Sequence, residues 1–224
     1  MMATAAVIVY ALLWLAYALR WGWLQAVDDA VLQPLYDYGV KHPGWVQFWD
    51  VLCTVFSPAA FRLVGAAIVI VAVFRRNLRA ILFVLTSIGM SGIVTQIAKG
   101  LADRPRPTTA LAAASSSAFP SGHALGVMAA VLALLTISAG MFNRRGRAAS
   151  IVFGAVVVVV AVGVGRVVLN VHHPSDVLAG WVLGYLWFLA CLLVIRPLPL
   201  AAAAAPEVEP IGAAADETPQ APGI

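Results

Sequence analysis

PSGHALGVMAAVLALLTISAGM, residues 120–141, opens on a proline, a serine, a glycine and an imidazole, then stays apolar almost to its end. A helix needs about 20 apolar residues to cross about 30 Å of hydrocarbon, so a run of this length reads as a membrane span. Similar runs recur along the 224 residues, which are 62% hydrophobic and only 11% charged. The mean hydropathy of +0.93 excludes an ordinary soluble globule. Spans are expected at Ala3–Leu19, Ala59–Phe74, Ala80–Ala98, Gly122–Met141, Ala149–Val168 and Val177–Ile195. The fold class that follows is all-α, a polytopic membrane protein of six transmembrane helices. The first run has the length of a signal peptide, but no Lys or Arg precedes it, so it is expected to persist as a helix.

Position makes the fourteen Lys and Arg residues informative. Arg75, Arg76 and Arg79 separate spans two and three, Arg144, Arg145 and Arg147 separate spans four and five, and Arg196 follows span six. Short loops rich in Lys and Arg tend to be cytoplasmic. Both termini are then expected inside a cell (plasma) membrane, with residues 99–121 and 166–176 on the extracytoplasmic side. Arg20 points weakly the other way. Residues 1–198 are expected to form one membrane-embedded domain. Residues 199–224, Ala- and Pro-rich and holding Glu207, Glu209, Asp216 and Glu217, read as a disordered cytoplasmic tail. Residues 21–57 hold four of the seven tryptophans and read as interfacial segments between helices 1 and 2. Cys53 and Cys191 are expected to pack as free thiols.

If outer loops should be poor in positive charge, Lys99, Arg104, Arg106 and Arg166 need a reason to be there. They fall in or beside three unusual blocks: KGLADRPRP from Lys99 to Pro107, PSGH from Pro120 to His123, and GRVVLNVHHPSD from Gly165 to Asp176. Taken singly, each has a plain explanation. Lys and Arg snorkel at interfaces, Pro120 starts a helix, and Asp176 complements a helix N-terminus.

Taken together, the blocks place several cations, two imidazoles and one carboxylate at one side of the membrane. Backbone N–H groups at Ser121 and Gly122 add an anion site at a helix start. Arg offers a planar fork to phosphate oxygens and Lys a point charge. The ligand suited to this set is a phosphate at the membrane surface.

The two histidines suggest hydrolysis. Asp176 lies four residues beyond His172, close enough to orient one ring nitrogen and free the other for attack. His123, on another helix, can protonate the leaving oxygen. His173 has Val177 four residues on, and is expected to lack a carboxylate partner. His42 stands apart from the cations and reads as structural.

Lys99 with Arg106-Pro107, then Pro120-Ser121-Gly122-His123, then Arg166 with His172 and Asp176, resembles the three-part signature of the type 2 phosphatidic acid phosphatases, over about residues 59–195. The resemblance implies catalytic roles for His172 (nucleophile, forming a phosphohistidine), His123 (acid, then base) and Asp176 (orienting). It implies that Lys99, Arg106, Ser121, Gly122 and Arg166 bind the phosphate. No metal and no cofactor is implied, and no nucleic-acid partner is expected. The partners are the bilayer and a lipid phosphate: a polyprenyl diphosphate, phosphatidylglycerol phosphate or phosphatidic acid. One departure is visible. The family's third block usually begins Ser-Arg, and here it is Gly165-Arg166. Vanadium-dependent haloperoxidases share the constellation but are typically larger soluble chains. A lipid-phosphate carrier would need the cations but not the paired histidines and carboxylate.

Overall fold

The computed structural model describes residues 1–139 and 145–200. The described residues form nine α-helices: α1 Met2–Ala18, α2 Gly22–Lys41, α3 Pro43–Val55, α4 Pro58–Phe74, α5 Leu78–Val84, α6 Ser91–Ala102, α7 Gly122–Ile137, α8 Arg145–Val168 and α9 Pro174–Ile195. Proline opens α3, α4 and α9, where its missing N–H costs no helical hydrogen bond. A π-helical turn, Leu85–Gly89, joins α5 to α6. There Thr86 Oγ1 and Ser87 Oγ donate to carbonyls one turn back, at 2.8 and 2.5 Å, an alternative partner that disturbs a regular helix. Trp187 Nε1 on α9 bonds the Thr86 carbonyl at 3.2 Å, so the irregular turn stays satisfied.

The count of six spans is not reached by length and composition alone. Pro43–Phe74, Leu78–Ala102, Gly146–Val168 and Pro174–Ile195 are each long and apolar enough, whereas α1 and α2 qualify only as a pair bent by 93°. Helix α7 has only 16 residues. It is the centre of the bundle, with Ala124, Leu125, Val127, Ala129, Ala130, Ala133 and Ile137 almost wholly buried. A helix enclosed by others need not reach both lipid surfaces itself.

The 21–57 segment divides into two helices with different roles. Helix α2 does turn sharply from α1, with Leu24, Asp28 and Leu32 buried at four-residue intervals along one stripe. Helix α3, in contrast, runs on into α4 as a 32-residue apolar span. At about 1.5 Å per residue that exceeds the hydrocarbon thickness, so α3 reaches past it. Its Trp49 and Cys53 pack under Leu169 and Val171, flooring the loop that carries His172. The tail 201–224 and Arg144 lie outside the described residues, as does the side chain of Arg145. Cys53 and Cys191 are free and buried.

Packing of α7 on α9 depends on missing side chains. A Cβ at Gly180 would stand 2.6 Å from the Ser121 carbonyl, and one at Gly184 2.5 Å from that of Leu125. This small-xxx-small spacing lets two backbones approach closely. It sets the start of α7, with His123, against the start of α9, with Asp176, and Ser121 N bonds Asp176 O at 2.9 Å. At the other end, Leu200 N bonds Ile137 O and Arg75 reaches Leu200 O, tying the α4–α5 turn to the ends of α7 and α9.

Candidate active site

Four helix ends meet at one pole of the bundle: the ends of α6 and α8 and the starts of α7 and α9. Asp103 closes α6 and Asn170 follows α8, both with positive φ (43° and 52°), a conformation that Asp and Asn tolerate better than most residues. The 103–121 loop is pinned to the 169–171 turn by Leu111 N to Leu169 O at 2.9 Å and by Thr109 Oγ1 to Asn170 Oδ1 at 2.9 Å.

Lys99, Arg106, Gly122, His123, Arg166 and His172 line one cavity of about 360 Å³, together with Ser115 and Ser116. Lys99 Nζ donates to Ser116 Oγ at 2.9 Å and to the Ser117 carbonyl. Arg106 Nε donates to Ser116 O at 2.6 Å and its Nη1 to Val171 O at 2.5 Å. Arg166 is buried, and its Nε has no hydrogen-bond partner. Ser121 caps α7, its Oγ 3.5 Å from Ala124 N, and is fully buried behind the cavity. Gly122 leaves room: a Cβ there would stand 2.9 Å from Thr95. Gly165 has a packing reason. A Cβ would lie 2.6 Å from Cys53 Sγ and 2.9 Å from Trp49, so α3 occupies the volume a serine side chain would need.

His172 is buried, with Arg106 Nη1 3.2 Å from its Nε2. A guanidinium only donates, so Nε2 must present its lone pair and the ring proton must sit on Nδ1. That Nδ1 lies 3.7 Å from Asp176 Oδ2 and has no hydrogen-bond partner. The expected orienting pair is thus in place but not closed.

The expectation for His173 is overturned. Its Nδ1 lies 3.0 Å from Asp176 Oδ2, and its backbone N donates to the same oxygen at 2.8 Å. Pro174 starts α9, so His173 is the residue before the helix and Asp176 reaches back to it as a first-turn carboxylate does.

Asp176 has another partner that the three blocks do not predict. Arg104 Nη1 donates to Asp176 Oδ1 and to Ser175 Oγ, both at 2.7 Å, and Nη2 donates to Asp28 Oδ2 at 2.8 Å. Its guanidinium also lies over the Tyr17 ring, 5.1 Å from the centroid. Asp28 further accepts from Ser175 N and Oγ at 3.0 and 2.6 Å. One available signal was Asp28, an acid on the apolar stripe of α2. A buried carboxylate requires a cation or donors. His42 is structural, stacked on Tyr38 with Nδ1 2.9 Å from the Tyr38 carbonyl.

Burial, opposed by Asp176 and reinforced by Arg106 and Arg166, lowers the His172 pKa to about 4. The imidazole is therefore neutral at pH 7, as a nucleophile or base requires. In imidazole ¹⁵N titrations of the solubilised protein, His172 is expected to stay neutral through pH 5 and to protonate near pH 4. A midpoint at the ordinary value of about 6.5 would contradict this environment.

Residues 80–198 match the model of the PAP2 superfamily. Over 111 residues the chain is 33% identical to phosphatidylglycerophosphatase B of Bacillus subtilis (strain 168), a match covering 48% of this chain and 54% of that protein. The chain thus spans about half the length of that curated relative. The fold is similar, with a TM-score of 0.71 and 23% identity, to the crystal structure of a transmembrane PAP2-type phosphatidylglycerolphosphate phosphatase from Bacillus subtilis. That likeness covers 87% of this chain and 96% of the other.

Proposed function

Because the chain belongs to the PAP2 superfamily, we propose that it is an integral-membrane lipid phosphatase working through a phosphohistidine, with phosphatidylglycerol phosphate its foremost substrate. The observation that carries the reading is one cavity lined by Lys99, Arg106, Arg166, His123 and His172, with Asp176 behind His172. The substrate choice follows the activity named for the Bacillus subtilis relative.

The geometry supports two balanced steps. The Nε2 lone pair of His172 forms a bond to phosphorus as the bond from phosphorus to the lipid oxygen breaks. That oxygen leaves with a proton from His123. A water then gives its proton to His123 and attacks phosphorus, the N–P bond breaks, and inorganic phosphate is released. Lys99, Arg106 and Arg166, with the N–H groups of Gly122 and His123 at the start of α7, balance the phosphoryl charge. The Ser121 N–H is already held by the Asp176 carbonyl. Positive charge forming on His172 is stabilised through Nδ1–H by Asp176, after a closure of the 3.7 Å gap.

Side-chain cations take the role that divalent ions take in many phosphoryl-transfer enzymes. Phosphate release by purified protein from phosphatidylglycerol phosphate, phosphatidic acid and a polyprenyl diphosphate is expected to persist in chelator and to be inhibited by vanadate. Activity lost in chelator and restored by a divalent ion would sink the mechanism.

The Arg-rich 75–79 turn at the opposite pole supports an extracytoplasmic site. Ala110→Cys, at an exposed loop position, is expected to react with an impermeant thiol reagent in intact cells, the native cysteines being buried. Labelling only after lysis would reverse the orientation.

A further inference from the structure

The cavity of the three blocks has a further cation that none of them contains. Arg62, in the second turn of α4, lines it together with Lys99, Arg106 and Arg166. Arg62 lies inside the span Pro43–Phe74, and among the described residues it has no ion-pair partner. A charged side chain within a span is costly and normally marks a ligand path or a pairing. Snorkelling to the headgroups would be the plain alternative. Arg62 is exposed, but its guanidinium lies against α6 on the lining of the cavity. A Cβ built at Gly92 would stand 2.7 Å from Arg62 Nη2 and 3.6 Å from its Cζ. Glycine at 92 is what leaves that space open.

Gly92, Gln96 and Lys99 all line the cavity and share one face of α6, at i, i+4 and i+7. Seven residues rise about 10 Å, close to two helical turns. Arg62 therefore meets α6 about two turns before the Lys99 backbone. The Lys99 side chain runs back part of that way, since a Cβ at Gly122 would touch both Thr95 and Lys99 Cε. Small residues, Ala113 and Ala114, are among the other lining groups.

We propose that Arg62 forms a second anion subsite, which binds the inner phosphate of a two-phosphate lipid while the terminal phosphate sits among Lys99, Arg106 and Arg166. The proposal rests on the lipid-phosphatase reading and makes it more specific. In a diphosphate the two phosphorus atoms share one bridging oxygen. In phosphatidylglycerol phosphate a three-carbon glycerol separates them. The separation of Arg62 from Lys99 suits the glycerol-spaced pair. Phosphatidic acid has no second phosphate for Arg62 to meet.

The test is equilibrium binding to the full chain carrying His172→Ala, so that no lipid is consumed. The probes are phosphatidylglycerol phosphate, a polyprenyl diphosphate and phosphatidic acid in mixed micelles. Adding Arg62→Gln is expected to weaken phosphatidylglycerol phosphate about ten- to a hundred-fold relative to phosphatidic acid, as loss of one charge-assisted contact does. The diphosphate is expected to lose less. Gly92→Ala keeps every charge but displaces the guanidinium, and is expected to shift the same ratio in the same direction. An unchanged ratio in either variant overturns the subsite, and a larger loss for the diphosphate overturns the glycerol-spaced assignment. Turnover of these lipids by the unmutated protein tests the phosphatase reading separately, so the two can fail independently.

Discussion

His172→Ala is expected to lower turnover of a lipid phosphate by at least about 10³-fold, as removal of a nucleophile does, while the lipid still binds. Binding survives because Lys99, Arg106 and Arg166 line the cavity independently of the imidazole. Arg106 also keeps its bonds to Ser116 O and Val171 O. His173→Ala is the control. It removes the 3.0 Å contact to Asp176, but the backbone N of residue 173 still donates to the same oxygen. One lost hydrogen bond of about 1 kcal/mol implies a loss of only about five-fold. His123→Ala is expected to suffer least with a leaving group that needs no proton, although water activation stays slow. The measurement is kcat for the series with one lipid phosphate, plus trapping of labelled phosphate on the protein. An active His172→Ala beside an inactive His173→Ala would refute the assignment of the nucleophile.

The two adjacent histidines show where sequence reading stopped. Counting four residues from His172 to Asp176 treats the pair as neighbours on a helix. That rule applies only once a helix has begun, and Pro174 delays its start until after both histidines. At a helix entry the first-turn carboxylate faces the residue three back, which is His173. Elsewhere the local signals were sufficient. The spacing of Lys99 and Arg106 straddles the end of α6, PSGH opens α7, and the Arg166 block bridges α8 to α9. The structure brings Lys99, Arg106, Gly122, His123, Arg166 and His172 to one cavity. Contacts between distant segments left a weaker signal: Asp28, on the apolar stripe of α2, calls for a buried partner without identifying it. Nothing near Arg104 announces that its partner is Asp28, 76 positions earlier. Length and composition recover four or five spans, short of the expected six, for a related reason. Hydropathy cannot tell a lipid-facing helix from α7, enclosed by its neighbours, nor see that α3 continues into α4.

The second large effect is expected at Arg104. Its guanidinium joins α1, α2 and α9 through one fork: Tyr17 beneath it, Asp28 on Nη2, and Ser175 and Asp176 on Nη1. Asp28 is 1% exposed and Asp176 0%. Arg104→Met would leave two carboxylates buried without a cation, which costs about 3–5 kcal/mol when a buried pair is broken one-sidedly. Arg104→Lys is not conservative here, because a point charge cannot serve three oxygens in a fixed fork. Asp28→Asn should cost less, since Arg104 keeps Asp176 and the amide oxygen can still accept from Ser175. If the three residues act as one unit, combining Asp28→Asn with Arg104→Met should cost less than the two changes summed, because fewer charges are left unmatched. Denaturant or thermal unfolding of the solubilised protein measures the cycle. Strict additivity would mean that the network is a set of separate contacts. Catalysis supplies an independent readout. Arg104 and His173 fix the Asp176 carboxylate from both oxygens, so freeing one should loosen its approach to His172 Nδ1. In whatever Arg104→Lys protein remains folded, kcat should therefore fall with little change in KM. A fall in KM-dependent terms alone would place Arg104 with the substrate instead of behind Asp176.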